Sequence, residues 1–240
     1  MKLIDTHFHL DYYRNHKYWY EQINALNQYT LCVTNSPEVH HSCIRLYPET
    51  KYIKFAVGYN PQMCVDIKFS EESFLYELLK TKYIGEVGLD FSKRFEDYHM
   101  KQIEIFEFIC HCAASQNKVM SVHSRGAEEE VLRILKKYNV KKAILHWYSG
   151  KEKTLEQFIE EGYYFSINSN MCETEKGRKI IKCIPYDKLL VESDGPFTKI
   201  NSNKFSPNLL YSIYGSISNI LHEDDVSALI WRNFNDLLSL

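Results

Sequence analysis

Apolar and polar positions fall into two kinds of block along this chain. Short runs rich in Val, Ile, Tyr and Phe recur at 2–8 (KLIDTHF), 29–35 (YTLCVTN), 52–60 (YIKFAVGYN), 83–90 (YIGEVGLD), 118–124 (KVMSVHS), 142–150 (KAILHWYSG), 163–170 (YYFSINSN) and 189–197 (LLVESDGPF). Most stop at Gly, Pro, Asn or Ser, the punctuation expected at strand ends. Between them, apolar positions step by three and four. Phe95, Ile103, Phe106, Ile109, Cys110 and Ala113 predict a helix over 95–116. Val131, Leu132, Leu135 and Tyr138 predict one over 125–138, and Leu155, Phe158 and Ile159 one over 151–161. Two closing helices are expected at 206–222 and 223–238.

Eight strand-like runs starting about every 27 residues, with helices between, predict parallel β–α units. Eight units in 240 residues fit a closed (β/α)8 TIM barrel of the α/β class. The competing open, doubly wound sheet usually carries a glycine-rich phosphate loop after its first strand. Here that position reads DTHFHL, and the first glycine is Gly58. No Pro/Gly-rich linker or low-complexity tract interrupts the pattern, so residues 1–240 are expected to form one domain.

In such a barrel the reactive groups come from the carboxyl ends of several strands. His7 and His9 end the first, Glu86 sits in the fourth with Asp90 just beyond, and His123 ends the fifth, followed by Ser124 and Arg125. His146 ends the sixth, and Asp194 ends the eighth with Glu192 two residues earlier. A strand period of two places His7 with His9, and Glu192 with Asp194, on common faces. Singly, each histidine also fits a hydrogen-bonded core or rim position. A carboxylate in an apolar strand, however, costs several kcal/mol to bury unpaired and calls for a cation. Four histidines and two carboxylates converging on one mouth predict a metal site.

Composition narrows the functions available. With 45% apolar and 25% charged residues the chain reads as an ordinary globular protein. The net charge of −2 supplies no global basic field, so binding a polyanion requires a local patch or bound cations. Seven cysteines, an odd number without a C-x-x-C pair, read as reduced thiols of a cytosolic protein. The amino terminus lacks the apolar segment of a secretory signal, and no run approaches the roughly 18 apolar residues that span a bilayer. A cytoplasmic location without membrane attachment is expected, and the lack of heptads or an interface stripe predicts a monomer.

The segments IDTHFHL, IGEVGLD, VHSRGA, ILHWYSG and LLVESDGP, in that order across nearly the whole chain, resemble the TatD family of metal-dependent hydrolases. The resemblance implies an amidohydrolase-type barrel with divalent-metal-dependent nuclease activity. It implies a ligand set of His7, His9, Glu86, His123, His146 and Asp194 for two ions, with Glu86 shared and Asp194 also orienting or deprotonating water. Mixed imidazole and carboxylate ligands suit Mg, Mn or Zn alike. Three departures touch the substrate rim: Gly126 replaces an acid in HSRGA, Trp147 and Tyr148 replace the usual Cys-Phe, and TKINSNKFSP replaces an Arg-Asn-x-Pro segment. The last variant is similar to TatD-type members of bacterial Qat anti-phage systems, which implies partner proteins from a defence operon. Arg125 is a candidate phosphate fork. Tyr148 and Trp147 are candidate stacking surfaces for a base. Lys93, Arg94, Lys199 and Lys204 are candidates for a basic rim. The expected substrate is nucleic acid, DNA before RNA. Hydrolysis of amides or esters, including aminoacyl-tRNA deacylation, remains open, as does a non-catalytic subunit. Glu86, standing where many amidohydrolases carry a modified lysine, favours the TatD-like branch.

Overall fold

The computed structural model describes residues 2–240. Eight parallel strands follow one another in chain order: β1 (Ile4–Phe8), β2 (Tyr29–Val33), β3 (Ile53–Ala56), β4 (Tyr83–Gly88), β5 (Val119–His123), β6 (Ala143–His146), β7 (Tyr164–Ile167) and β8 (Leu189–Val191). Nearly every strand position is buried, as expected for strands covered on both faces. The strands pair in two arcs, β1 to β3 and β4 to β8. At one seam Val57, just past β3, bridges Ile84, with Val57 N–H on Tyr83 O at 3.1 Å and Gly85 N–H on Val57 O at 2.9 Å. At the other Phe8 bridges Gly195, with Asp194 N–H on His7 O at 2.8 Å and His9 N–H on Gly195 O at 3.0 Å. The sheet is thereby a closed (β/α)8 barrel, and its second seam is made by the residues that carry His7, His9 and Asp194.

The helices are α1 (His16–Ala25), α2 (Pro37–Leu46), α3 (Glu71–Leu78), α4 (His99–Ser115), α5 (Glu128–Lys137), α6 (Glu152–Glu160), α7 (Ser169–Glu173), α8 (Glu175–Cys183), α9 (Leu210–Leu221) and α10 (Val226–Ser239). Local chemistry accounts for several of their ends. Ser36 caps α2 by accepting Val39 N–H, with Pro37 in the first turn, where a missing N–H costs nothing. Glu128, Glu129 and Glu130 open α5 and Lys136 and Lys137 close it, matching the helix dipole. Its buried stripe is Val131, Leu132, Ile134 and Leu135.

All eight expected strands are present, and most of the runs overshoot because their last residues turn off the barrel into the mouth. The helix expected over 95–116 starts later, at His99, after a 3-10 segment Lys93–Tyr98. Likewise, the 3-10 turn Pro207–Leu209 precedes α9. Helices α1 and α2 lie where no apolar period announces them: α1 buries only Ile23, and the stripe of α2 is Pro37, His40 and Cys43. After β8, Lys199–Ile200 (β9) and Asn203–Lys204 (β10) form a small antiparallel hairpin.

Candidate metal centre

The six expected ligands meet at the carboxyl end of the barrel. His7 and His9 alternate with Phe8 along β1, so both rings turn inward, and their Nε2 atoms lie 3.1 Å apart. Both face Glu86 Oε2, at 3.8 and 3.4 Å, and Asp194 Oδ1, at 3.7 and 3.5 Å. The other Glu86 oxygen, Oε1, faces His123 Nδ1 at 2.9 Å and His146 Nε2 at 3.1 Å. Glu86 therefore divides the site, with one oxygen toward each histidine pair. Two triads of potential ligand atoms result: His7, His9 and Asp194, and Glu86, His123 and His146. A third, of His7, His146 and Glu192, lies behind them.

The strand ends hold these groups by close approach and sharp turns. Gly88 takes φ +133°, and a Cβ there would fall 2.0 Å from the His123 carbonyl, so only glycine lets β4 pass β5 at the ligand. Asp194 at φ +48° and Trp147 at φ +42° are left-handed without being glycine. Such conformations cost about 1–3 kcal/mol each and persist where the surroundings over-determine them. Gly126 is also left-handed, at φ +67°.

Behind the ligands stands a set of orienting partners. Ser121 Oγ lies 2.7 Å from His7 Nδ1. Asp90 Oδ2 faces His123 Nε2 at 3.2 Å while accepting from Gln62 Nε2 at 2.8 Å. Asn60 Nδ2 donates to Glu86 Oε2 at 2.7 Å. Glu192 lies 3.8 Å from His146 Nδ1 and is itself held by Ser166 Oγ and by Asn168 Nδ2 at 2.9 Å. Asp5 accepts from Ser193 N–H at 2.9 Å and Ser193 Oγ at 2.5 Å, tying β1 to the end of β8. Bonds of this kind fix ring orientation and tautomer in metal-binding histidines. For His7 and His123 they leave the nitrogen facing the cluster free to act as a ligand.

The electrostatics favour a positive charge at the centre. Burial alone penalises ionisation of Glu86, but the bonds from His123, His146, His7 and His9 hold its carboxyl well below the usual range. Burial likewise opposes a charge on His9, yet Asp194 and Glu86 push it up to about 10. His146 and His123 are raised in the same way, His146 by Glu192 and Glu86, His123 by Asp90 and Glu86. His7 is lowered, first by burial and then by His146. Converging nitrogens only 3.1 Å apart cannot both present lone pairs to each other, so this donor set requires protons or cations between its members. Imidazole and carboxylate donors at this spacing fit divalent ions of the Mg, Mn or Zn type.

The cluster opens into a cavity of about 530 Å³. Tyr12, Trp147 and Phe197 form aromatic walls, Asn35, Asn60 and Gln62 form a polar one, and Arg125 stands at the rim. Tyr12 and Phe197 are about half exposed and pack edge to face at 5.0 Å, and the Phe197 ring is 5.1 Å from His9. Arg125 makes no ion pair among the described residues, which disfavours a structural role for its charge. Tyr148 is a correction. Its ring is buried between Phe158 and Phe165, and its hydroxyl donates to Lys151 O at 2.8 Å, so no base can reach it. The positive φ of Trp147 reverses the strand alternation, turning Tyr148 into the core and leaving Trp147 at the mouth. Lys93, Arg94, Lys199 and Lys204 are exposed but do not line the cavity.

Sequence reasoning missed Asn60, Ser121, Asn168, Tyr12 and Phe197. Ser121 was within reach, since it lies two residues before His123 and shares its inward face. Tyr12 and Phe197 meet only because the barrel closes between β1 and β8.

Comparison with known proteins bears on the family and the fold. An uncharacterized metal-dependent hydrolase of Methanocaldococcus jannaschii is 27% identical over 97% of this chain and 95% of its own. The 3'-5' ssDNA/RNA exonuclease TatD of Erwinia amylovora is 31% identical over 61% of this chain and 60% of its own, and human deoxyribonuclease TATDN3 is 30% identical over 47% and 42%. Against these two nucleases the matched stretch is thus less than two thirds of their length. In fold, the crystal structure of YJJV, a TatD homolog from Escherichia coli, superposes with a TM-score of 0.86 over 99% of this chain and 98% of its own, at 19% identity. The family model of TatD-related DNases matches residues 4–239. With that family model matched over residues 4–239, the chain belongs to the family of TatD-related DNases, metal-dependent hydrolases.

Proposed function

We propose that this protein is a divalent-metal-dependent deoxyribonuclease that hydrolyses phosphodiester bonds from the end of a DNA strand. The observation that carries the proposal is Glu86, whose two oxygens each face a different pair of imidazoles at 2.9–3.8 Å. That arrangement supports two ions sharing one carboxylate, with His7, His9 and Asp194 holding the first and His123 and His146 the second. Bound divalent cations would supply a water acidified toward neutral pH and would offset charge on the phosphoryl oxygens.

The chain's own residues supply the rest. Asp194, whose Oδ1 lies 3.7 and 3.5 Å from His7 and His9, would orient the attacking water and take its proton. Arg125, without a carboxylate partner among the described residues, would fork a phosphate. Phe197, Tyr12 and Trp147 offer ring faces and edges to an unpaired base, a contact worth about 1–3 kcal/mol. The names of the Erwinia and human relatives support a nucleic-acid substrate. The free cysteines, six of the seven buried, fit a reducing cytoplasm. No helix among the described residues is long and apolar enough to cross a membrane.

The test is purified protein supplied with Mg, Mn or Zn and offered single-stranded DNA, RNA and a panel of esters. Metal-dependent phosphodiester cleavage is expected, abolished by Glu86→Ala together with metal binding. Ester turnover alone, or DNA cleavage retained by metal-loaded Glu86→Ala, would overturn the proposal. A role in bacterial anti-phage defence with partner proteins rests on the resemblance of the segment after β8. It predicts that phage protection by the intact operon is lost with Glu86→Ala.

A further inference from the structure

The segment that leaves the metal centre after Asp194 carries a charge arrangement that the barrel does not need. Residues 199–204 (KINSNK) make a two-residue hairpin, with Asn201 at φ 51° and Ser202 at φ 64°, the pair of positive values of a type I′ turn. Ile200 lies opposite Asn203, and Lys199 directly opposite Lys204. Phe205 N–H donates to Thr198 O at 3.0 Å, so the lysine pair sits in the slot where opposed side chains approach most closely. Ile200 is buried and both lysines are exposed, so alternation turns the two ammonium groups to the same outward face.

Like charges directly opposed destabilise a strand pair. Neither lysine has an acidic partner among the described residues. The hairpin is nevertheless firmly mounted. Thr198 Oγ1 donates to Ser193 O at 2.6 Å, Phe205 is buried, and Tyr13 Oη donates to Phe205 O at 2.8 Å. Lys199 follows Phe197, which lines the cavity, by two residues, and it is at most about 17 Å of chain from Asp194.

We propose that Lys199 and Lys204 form a phosphate clamp for the backbone of a single nucleic-acid strand, a few nucleotides from the phosphodiester at the metal centre. This rests on the nuclease function proposed above. An anion between the two ammonium groups removes their repulsion. Lysine offers a point charge to phosphate without base selectivity, so the contact is sequence-independent. It supplies a local basic site on a chain whose net charge is negative.

The experiment is fluorescence anisotropy of a labelled, phosphorothioate-linked oligothymidylate with the metal-loaded protein at several salt concentrations. Each single-strand phosphate contact contributes about 0.7 to the slope of log affinity against log salt. Lys199→Gln/Lys204→Gln is expected to weaken binding and flatten that slope by at least about 0.7. Lys199→Arg/Lys204→Arg should restore it, and a dinucleotide too short to reach the hairpin should show no difference. An unchanged slope, or an equal loss with the dinucleotide, overturns the clamp. Binding is read without turnover, so failure of the wild type to cleave DNA with any metal rejects the proposed nuclease function and is told apart from failure of the clamp.

Discussion

Asp90→Asn probes how the metal centre is held. Asp90 is fully buried, and its Oδ1 accepts Ser92 N–H at 2.9 Å while Oδ2 accepts from Gln62 Nε2 at 2.8 Å and faces His123 Nε2 at 3.2 Å. An amide that keeps its oxygen on Ser92 puts its NH2 where Oδ2 was, facing two groups that already donate. His123 must then give up the Nε2 proton and carry it on Nδ1, the nitrogen 2.9 Å from Glu86 Oε1 that is needed as a ligand. Loss of such an outer partner costs about 10–100-fold in metal affinity, or about 1.4–2.7 kcal/mol. Calorimetric titration of chelator-stripped protein with Mn should therefore show one of two affinities weakened by that factor, with the His7/His9/Asp194 ion little changed. Two affinities within about twofold of wild type would refute the assigned role of Asp90 in orienting His123.

Three further outcomes follow from other parts of the molecule. Glu77, buried between α2 and α3, accepts from His40 Nδ1 at 2.8 Å, His41 Nδ1 at 2.9 Å and Lys80 Nζ at 2.6 Å. Burial opposes its charge, but these three donors outweigh burial and hold its pKa below the ordinary 4.5. Its stabilisation is thus complete above about pH 4.5 and fades as pH falls toward the folded value. Glu77→Gln should cost about 1–3 kcal/mol in urea unfolding at neutral pH and flatten the acid limb. Tyr148→Phe should cost about 1 kcal/mol of stability in urea unfolding through the lost bond to Lys151. Arg125→Ala should leave metal stoichiometry intact and lower kcat/KM on DNA by about 10–100-fold, the value of one charge-assisted hydrogen bond to phosphate.

The barrel was legible because its strands are short β-branched and aromatic runs at a regular spacing, and that spacing survives even where α1 and α2 bury too few apolar residues to show a helical period. The convergence of the candidate ligands was legible because a period of two pins His7 and His9 to one face, and because Glu86 is a carboxylate in an apolar strand. Legibility ended where the backbone leaves the strand. Tyr148, two residues past His146, belongs on the inward face by alternation, and the left-handed Trp147 between them reverses it. The Phe197–Tyr12 contact joins residues 185 positions apart through the β1–β8 seam, a meeting that only barrel closure creates. Asn60 sits in a loop whose sequence gives no sign that its amide reaches Glu86.

The proposed function depends on Glu86 serving two cations at the barrel mouth. Anomalous diffraction from crystals of the Mn-loaded protein measures this directly. Two peaks are predicted on either side of Glu86, one among His7, His9 and Asp194 and the other between His123 and His146. A single peak remote from Glu86, or ions bound only outside this cluster, would contradict it.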